Sequence, residues 1–453
     1  METYQFTQEE WDNCIKVLQT LKDNPFHNPD NQLFSGLITK IHKKAKKQKS
    51  YESTQERLKQ DLNVLKESTI FKNAIRNETL YAEGELNTTK EFKLINKPKN
   101  CYVCNVQFNK VHFFYNRMCP NCAEENYENR FKNIDLEGRN VIITGGRVKI
   151  GYATALKILR ANANVVVTSR FPASALDQFK KEEDYNDWKD NLIVYGLDLR
   201  NLTAVKEFIE FYKSTYNTLD ILINNAAQTI KYNDTYYTPL VQQEQKLLLN
   251  SDENFCIANT TSVLQEINLL VNSEEYQDFE MNRFGQPIDT REKTSWNSTL
   301  EEVSMYELLE VNLINQISPY FLIKELIPLF SQSKFDKRFI INVTSSEGQF
   351  SYNNKTIFHP HTNMTKAALN MMTRTSGKQF EKDHNILMYA VDVGWISTGA
   401  KEVLREKQFK RGYIPPLDSV DGAARILHPI LEGIQEKPIL AGTLLKNYKI
   451  ENW

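Results

Sequence analysis

The chain has 453 residues, 41% of them hydrophobic, and its 56 basic and 57 acidic side chains leave a net charge of -1. That content buries one large core with room for a small second domain, which excludes general disorder. The charge balance excludes a global field toward nucleic acid or anionic membrane, and six cysteines are too few for a disulfide scaffold.

The opening residues METYQFTQEEWDN carry acids and lack both a basic and an apolar leader segment. No apolar run approaches the ~18 residues of a spanning helix, so the chain reads as soluble and cytoplasmic, with no membrane partner. From Thr7 the run TQEE fits a capping box, and Trp11, Cys14, Ile15, Leu18 and Leu21 recur at helical spacing until Asn24-Pro25. A second helix is expected around Leu33, Leu37, Ile38 and Ile41, and a third around Leu58, Leu62 and Leu65. The second runs into six lysines within residues 40 to 49. Without interleaved aromatics these read as a solvated helix face, and nucleic acid is not expected as a partner. The Lys97-Pro98-Lys99 step marks a boundary near residue 96.

Cys101-x2-Cys104 and Cys119-x2-Cys122 stand 14 residues apart, the spacing by which two knuckles place four thiolates around one zinc. Val106, Phe108, Val111, Phe113, Phe114 and Tyr115 between them supply an apolar cover. Four thiolates leave no open coordination position, so the metal is expected to be structural, with His112 an ordinary residue.

From Arg139 the sequence NVIITGGRVKIGYATALKILRANANVVVTSR reads as apolar strand, glycine turn, apolar-periodic helix and second β-branched strand. Glycines there let a backbone approach a pyrophosphate, and the helix N-terminus adds amides and a positive dipole. This turn resembles the TGxxxGxG pattern of the short-chain dehydrogenase/reductase superfamily: Thr144, Gly145, Ile150 and Gly151 match, and Lys149 stands at the middle glycine. Further landmarks follow in the family's order over about residues 139 to 400: Asp198-Leu199, LDILINNAA, EVNL, INVTSSEG, KAALN and VGWIST. The resemblance implies an α/β fold with a doubly wound Rossmann-type parallel sheet, preceded by a small zinc ribbon and a helical N-terminal region. The divisions expected are 1–95 helical, 96–127 four-cysteine zinc ribbon, and 128–453 Rossmann domain with a long insertion at about 229–303.

For the cofactor, the resemblance implies that Thr144, Gly145, Ile150 and Gly151 hold the phosphates; Lys149 at the middle glycine reads either as a basic side chain laid against them, the favoured reading, or as a loop that no longer accepts them. Asp198 would meet the adenine edge, Asn225 and Ala226 would line the cofactor, and Gly394 and Thr398 would flank the nicotinamide carboxamide, although Val393 replaces the usual proline. At the end of the second strand, Ser169-Arg170 stands where NAD-preferring relatives carry an acid. Arg170, with Arg147 and Lys149, suits a 2′-phosphate, which points to NADP(H).

Members of the family pair a carbonyl-orienting serine with a YxxxK pair whose phenol passes the proton. Ser345, Asn312 and Lys366 keep their places, and Lys366 would also bind the nicotinamide ribose, but four residues before Lys366 stands Thr362. A threonine hydroxyl is too weak an acid. His361 is the first candidate replacement, followed by His359 and Tyr352, because an imidazole titrates in the right range. A histidine beside a proline is more commonly a surface or capping residue.

Two functions follow. One is an NADP(H)-dependent oxidoreductase acting on a carbonyl or alcohol substrate. The other is a catalytically silent relative that keeps the dinucleotide as a structural or sensing ligand and binds a protein partner through its ribbon or insertion. Leaving the sheet near the substrate side, the insertion is expected to decide substrate or partner. Homo-oligomerisation stays open.

Overall fold

The structure, a computed structural model, describes residues 4–75, 92–232, 234–249, 281–282, 285–289, 291–351, 355–396, 407–435 and 437–453. It divides into two compact units, residues 1–63 with 95–97, and residues 64–94 with 98–453.

Helix α1 (Gln8–Leu21) starts at the expected capping box: the Glu10 amide donates to Thr7 Oγ1 at 3.2 Å, and the Thr7 amide donates to Glu10 Oε2 at 2.7 Å. The two stretches read as separate helices form one, α2 (Asn31–Glu67), because no proline interrupts the polar residues between Ile41 and Leu58. The lysines at 40 to 49 are all exposed along it. A short α3 (Thr69–Ile75) follows.

Strand β1 (Phe92–Asn100) pairs antiparallel with β2 (Gln107–His112), so the step read as a boundary lies inside a strand. Pro98 is tolerated there because it falls within the register shift between Leu94 and Lys99, away from the paired residues. Helix α4 (Pro120–Phe131) completes the cysteine segment.

The remaining elements alternate: β3 (Asn140–Thr144), α5 (Lys149–Leu159), β4 (Asn164–Ser169), α6 (Pro172–Phe179), α7 (Tyr185–Trp188), β5 (Leu192–Gly196), α8 (Leu202–Thr215) and β6 (Ile221–Asn224). Then come α9 (Asp234–Leu249), α10 (Met305–Asn312), α11 (Ser318–Ser331), β7 (Arg338–Thr344), α12 (Pro360–His384), β8 (Ile386–Asp392), α13 (Ser419–Ile434), β9 (Thr443–Lys446) and β10 (Lys449–Glu451). Eight strands form one sheet in the order β10-β9-β8-β7-β6-β3-β4-β5, with every pair parallel except the β10 edge.

Alternation along β3 sends Val141 and Ile143 to one face and Ile142 to the other. The first face packs on Tyr152 and Leu156 of α5 and on Ile426 and Ile430 of α13. The second packs on Phe208 of α8 and on Leu322 and Leu326 of α11. Buried on both sides, the strands read as continuous β-branched runs, and the doubly wound fold expected from them is the one found. Strand order reverses between β3 and β6, which opens a crevice at their carboxyl ends. Among the described residues no helix is long and apolar enough to cross a membrane.

The cysteine segment is fastened to the sheet domain through charge. Arg130 of α4, 2% exposed, lies 2.6 Å from Asp418 and 2.9 Å from Asp421 at the start of α13, and Tyr115 donates its hydroxyl to Asp421. Lys157 of α5 donates to the Arg130 carbonyl at 2.7 Å.

Candidate active site

The turn from β3 into α5 brings Thr144, Gly145, Ile150 and Gly151 together with Asn225 and Ala226 from the end of β6. Thr144 Oγ1 accepts the amides of Asn225 and Ala226, both at 3.1 Å. The Asn225 carboxamide donates to the carbonyls of Thr144 at 3.0 Å and Gly145 at 3.1 Å. Gly151 is required sterically: a Cβ there would stand 2.2 Å from the Gly145 oxygen and 2.4 Å from Asn225 Nδ2. Lys149 has φ +56°, a left-handed conformation that costs a side chain roughly 1–2 kcal/mol and that glycine adopts freely.

Arg147 lies in the same turn and stacks its guanidinium 5.5 Å from the Phe171 ring. Arg170, at the end of β4, lies 4.8 Å from the centre of the Tyr237 ring and 3.4 Å from its hydroxyl. Asp198, expected at the adenine edge, is held by Arg200, whose Nε donates to both carboxylate oxygens at 3.0 Å. Burial pushes the Asp198 carboxyl up, but Arg200 and Arg170 outweigh it and hold the group below its ordinary value.

Ser345, half-buried, follows the last residue of β7 and caps the turn Ser346–Gly348. Gly348 lets α12 come close, since a Cβ there would be 2.6 Å from the Lys366 carbonyl carbon. Lys366 is 7% exposed and donates to the Val343 carbonyl at 2.8 Å. Burial pushes its ammonium down to about 8, and the Asp392 carboxylate opposes this only in part. The carboxylate of Asp392 accepts from Ser346 at 2.8 Å and from the Gly394 amide at 2.9 Å.

Asn312 does not join this group: its carboxamide donates to the Leu308 carbonyl at 2.6 Å, and its oxygen accepts from Gln316. Between α10 and α11 a π-helical turn spans Leu313–Ile317, and it carries Asn315 inward. Asn315, 1% exposed, accepts the Gln228 amide at 2.8 Å and donates to the Gln228 carbonyl and to Thr365 Oγ1, both at 3.0 Å. This ties the end of β6 to the residue before Lys366. The one signal in the sequence was a second asparagine three residues on.

Thr362 sits in the first turn of α12, 3% exposed, and among the described residues its buried hydroxyl meets no hydrogen-bond partner, nor does Nδ1 of His361 beside it. His361 Nε2 faces Glu307 Oε1 of α10 at 3.4 Å. Burial pushes the Glu307 carboxyl up, but His361 and Ser295 outweigh it and hold it below its ordinary value. His359, left-handed at φ +42°, stacks on Trp296 at 4.4 Å, and its Nδ1 lies 2.8 Å from the Trp296 carbonyl. Tyr352 and Thr398 lie outside the described residues.

A cavity of about 650 Å³ runs along the crevice, walled by Gly145, Lys149, Arg170, Asn225 and Ala226 and, from the insertion, by Tyr236 and Trp296. That volume is in the range of small-molecule sites. Ser345, Lys366, Asn312 and His361 are not among its wall residues. Among the described residues the insertion meets this crevice at its start, through Thr229, Ile230 and Tyr232, through α9 beside Arg170, through Gln286–Asp289, and through Thr294 and Trp296, the ring on which His359 stacks. Residues 250–280 between them lie outside the described part.

The sulfurs of Cys101, Cys104, Cys119 and Cys122 all lie within 4.8 Å of one another, with Cys104 and Cys119 at 3.7 Å. Tetrahedral zinc with bonds of about 2.3 Å sets sulfurs roughly 3.8 Å apart, so the four fit that ion. His112 does not join them: its Nδ1 accepts the Phe114 amide at 3.1 Å. Tyr102, within the first pair, accepts the Trp395 amide at 2.8 Å, next to Gly394.

Residues 139–251 match the family model described as short chain dehydrogenase, and residues 291–413 match one described as Enoyl-(Acyl carrier protein) reductase. Uncharacterized protein R665 of Acanthamoeba polyphaga mimivirus is 32% identical over 340 residues, covering 73% of this chain and 71% of that one. The (+)-neomenthol dehydrogenase of Capsicum annuum is 31% identical over 91 residues, 19% of this chain, and the match spans only 28% of its length. The solved NADPH-bound carbonyl reductase from chicken fatty liver is 18% identical, with a TM-score of 0.43 over 70% of this chain and 100% of that one. With the glycine turn, the doubly wound sheet and both family models falling on the same residues, the chain belongs to the short-chain dehydrogenase/reductase superfamily of oxidoreductases.

Proposed function

We propose that this chain is an NADP(H)-dependent oxidoreductase that interconverts a carbonyl and an alcohol, with a structural zinc held by Cys101, Cys104, Cys119 and Cys122. The observation that carries the reading is the basic corner of Arg147, Lys149 and Arg170 at the ends of β3 and β4, beside a cavity walled by Lys149 and Arg170. Bound NADPH supplies the hydride. Thr144, Gly145, Ile150 and Gly151 present backbone to its phosphates, Asp198 faces the adenine, and Asn225, Ala226, Gly394 and Thr398 line the rest. Lys366 holds ribose hydroxyls, and with a pKa near 8 it is cationic at neutral pH.

Ser345 orients the carbonyl. The proton comes from His361, whose ring Glu307 steadies, in place of the phenol absent at Thr362. Asn315 rather than Asn312 takes the part of the family's asparagine, because it is the one bonded beside Lys366.

The test is loss of nicotinamide absorbance against a panel of aldehydes and ketones with NADPH and with NADH. Turnover with NADPH is expected, and Arg170→Glu should weaken NADPH at least tenfold while leaving NADH nearly unchanged. Tighter NADH in the parent, or equal losses in the variant, refutes the cofactor assignment. NADPH binding without turnover of any carbonyl replaces the enzyme with a silent dinucleotide-holding protein.

A further inference from the structure

The insertion brings an acid into the basic corner. Pro172 opens α6 and has no N–H, so Ala173 and Ser174 present the first free amides of that helix. Both are taken by one carboxylate: Glu244 of α9 accepts Ala173 N–H on Oε1 at 2.6 Å and Ser174 N–H on Oε2 at 2.8 Å. The side chain is fully buried and feels the attraction of Arg147. Tyr236, Tyr237, Leu240 and Val241, on the preceding turns of α9, pack with Phe171 into one apolar cluster. Phe171 is the ring on which Arg147 stacks, and Tyr237 is the ring that Arg170 meets. The insertion therefore reaches the corner of Arg147 and Arg170, the part of the crevice that would receive the adenosine ribose.

We propose that Glu244 sets the choice between a phosphorylated and an unphosphorylated adenosine ribose: its carboxylate spends the charge of Arg147 and of the α6 amides, and so loosens the grip on a 2′-phosphate. This rests on the reading that Arg147 and Arg170 face that ribose. An acid at the end of β4 is how NAD-preferring relatives repel the phosphate. Here β4 ends in Ser169-Arg170, and the acid comes instead from a helix some seventy residues on. Burial pushes the Glu244 carboxyl up to about 6, its two amide bonds and Arg147 opposing, so it carries charge at neutral pH. Two anions sharing one partly buried cationic corner repel by an amount that corresponds to roughly tenfold in affinity.

The experiment is fluorescence titration of the full chain at pH 7.5 with NADPH and with NADH, for the parent, Glu244→Gln and Glu244→Met. Both variants remove the charge at similar volume, and the glutamine keeps a carbonyl for one of the amides. NADPH should bind about tenfold tighter in both variants, with NADH changed less than twofold. An unchanged ratio of the two dissociation constants overturns the proposal. So does loss of folding in both variants, which would assign the carboxylate to fixing α6 alone. The parent's own ratio tests the cofactor reading separately. A parent that prefers NADH would sink the NADP(H) assignment, while a rise in the ratio on removing the charge would still support Glu244.

Discussion

Lys366→Met should make the cofactor-free protein more stable and less able to bind its dinucleotide. The lysine is buried, its ammonium has one carbonyl acceptor, and its pKa falls from an ordinary 10.5 to about 8. A depressed lysine destabilises the fold wherever it is charged. The penalty is absent above pH 10.5, grows as pH falls toward 8, and is complete below that. A shift of that size corresponds to roughly 3 kcal/mol at pH 7. Losing the bond to the Val343 carbonyl returns about 1 kcal/mol, so the variant should gain about 2 kcal/mol at pH 7 and lose about 1 kcal/mol above pH 10.5. Urea unfolding of parent and variant at pH 7, 8.5 and 10.5 measures this by linear extrapolation. A difference that does not change with pH, or a variant less stable at pH 7, would refute the reasoning. If Lys366 also holds the ribose, its retention at that cost is a stability–function trade-off.

Lys149→Gly should relieve the left-handed strain and raise stability by about 1 kcal/mol in the same unfolding assay, while weakening NADPH more than NADH. His361→Gln and Ser345→Ala should each lower kcat by about 100-fold with NADPH binding intact; turnover unchanged in the histidine variant would move the proton donor elsewhere. Elemental analysis of freshly purified protein should find close to one zinc per chain, and less than about half an equivalent counts against the cysteine site.

What the sequence made legible was local. The run NVIITGGRVKIG carries its own period and its own turn, and the capping box at Thr7 closes on itself within four residues, so both could be read from neighbours alone. The same pattern places Lys149 at the middle glycine, but the left-handed backbone it adopts there is visible only in the structure. What could not be read depends on register or on distance. A π-helical turn displaces inward-facing positions along the chain, and a linear pattern anchored on Asn312 has no means of detecting it. Glu244 meets α6 across some seventy residues, and nothing in its helical neighbourhood marks it as an acid bound for buried amides. Pro98 reads as punctuation, yet the register shift that accommodates it exists only once β2 is paired beside it.

The bond from the Trp395 amide to Tyr102, together with Arg117 placed 5.0 Å from the Trp395 ring and 4.8 Å from that of Tyr413, bears on where this chain can be shortened. Family resemblance begins at Arg139, and a truncation there looks natural on paper. It would leave the Trp395 amide without its acceptor and Asp421, 0% exposed, facing Asp418 with Arg130 gone. Losing these partners and the packing that surrounds them costs several kcal/mol, a large share of what holds a domain together, even though Arg425 stays beside Asp421. The cysteine segment thus behaves as an internal wall of the Rossmann domain and not as an appended module, and a minimal fragment has to begin before Cys101.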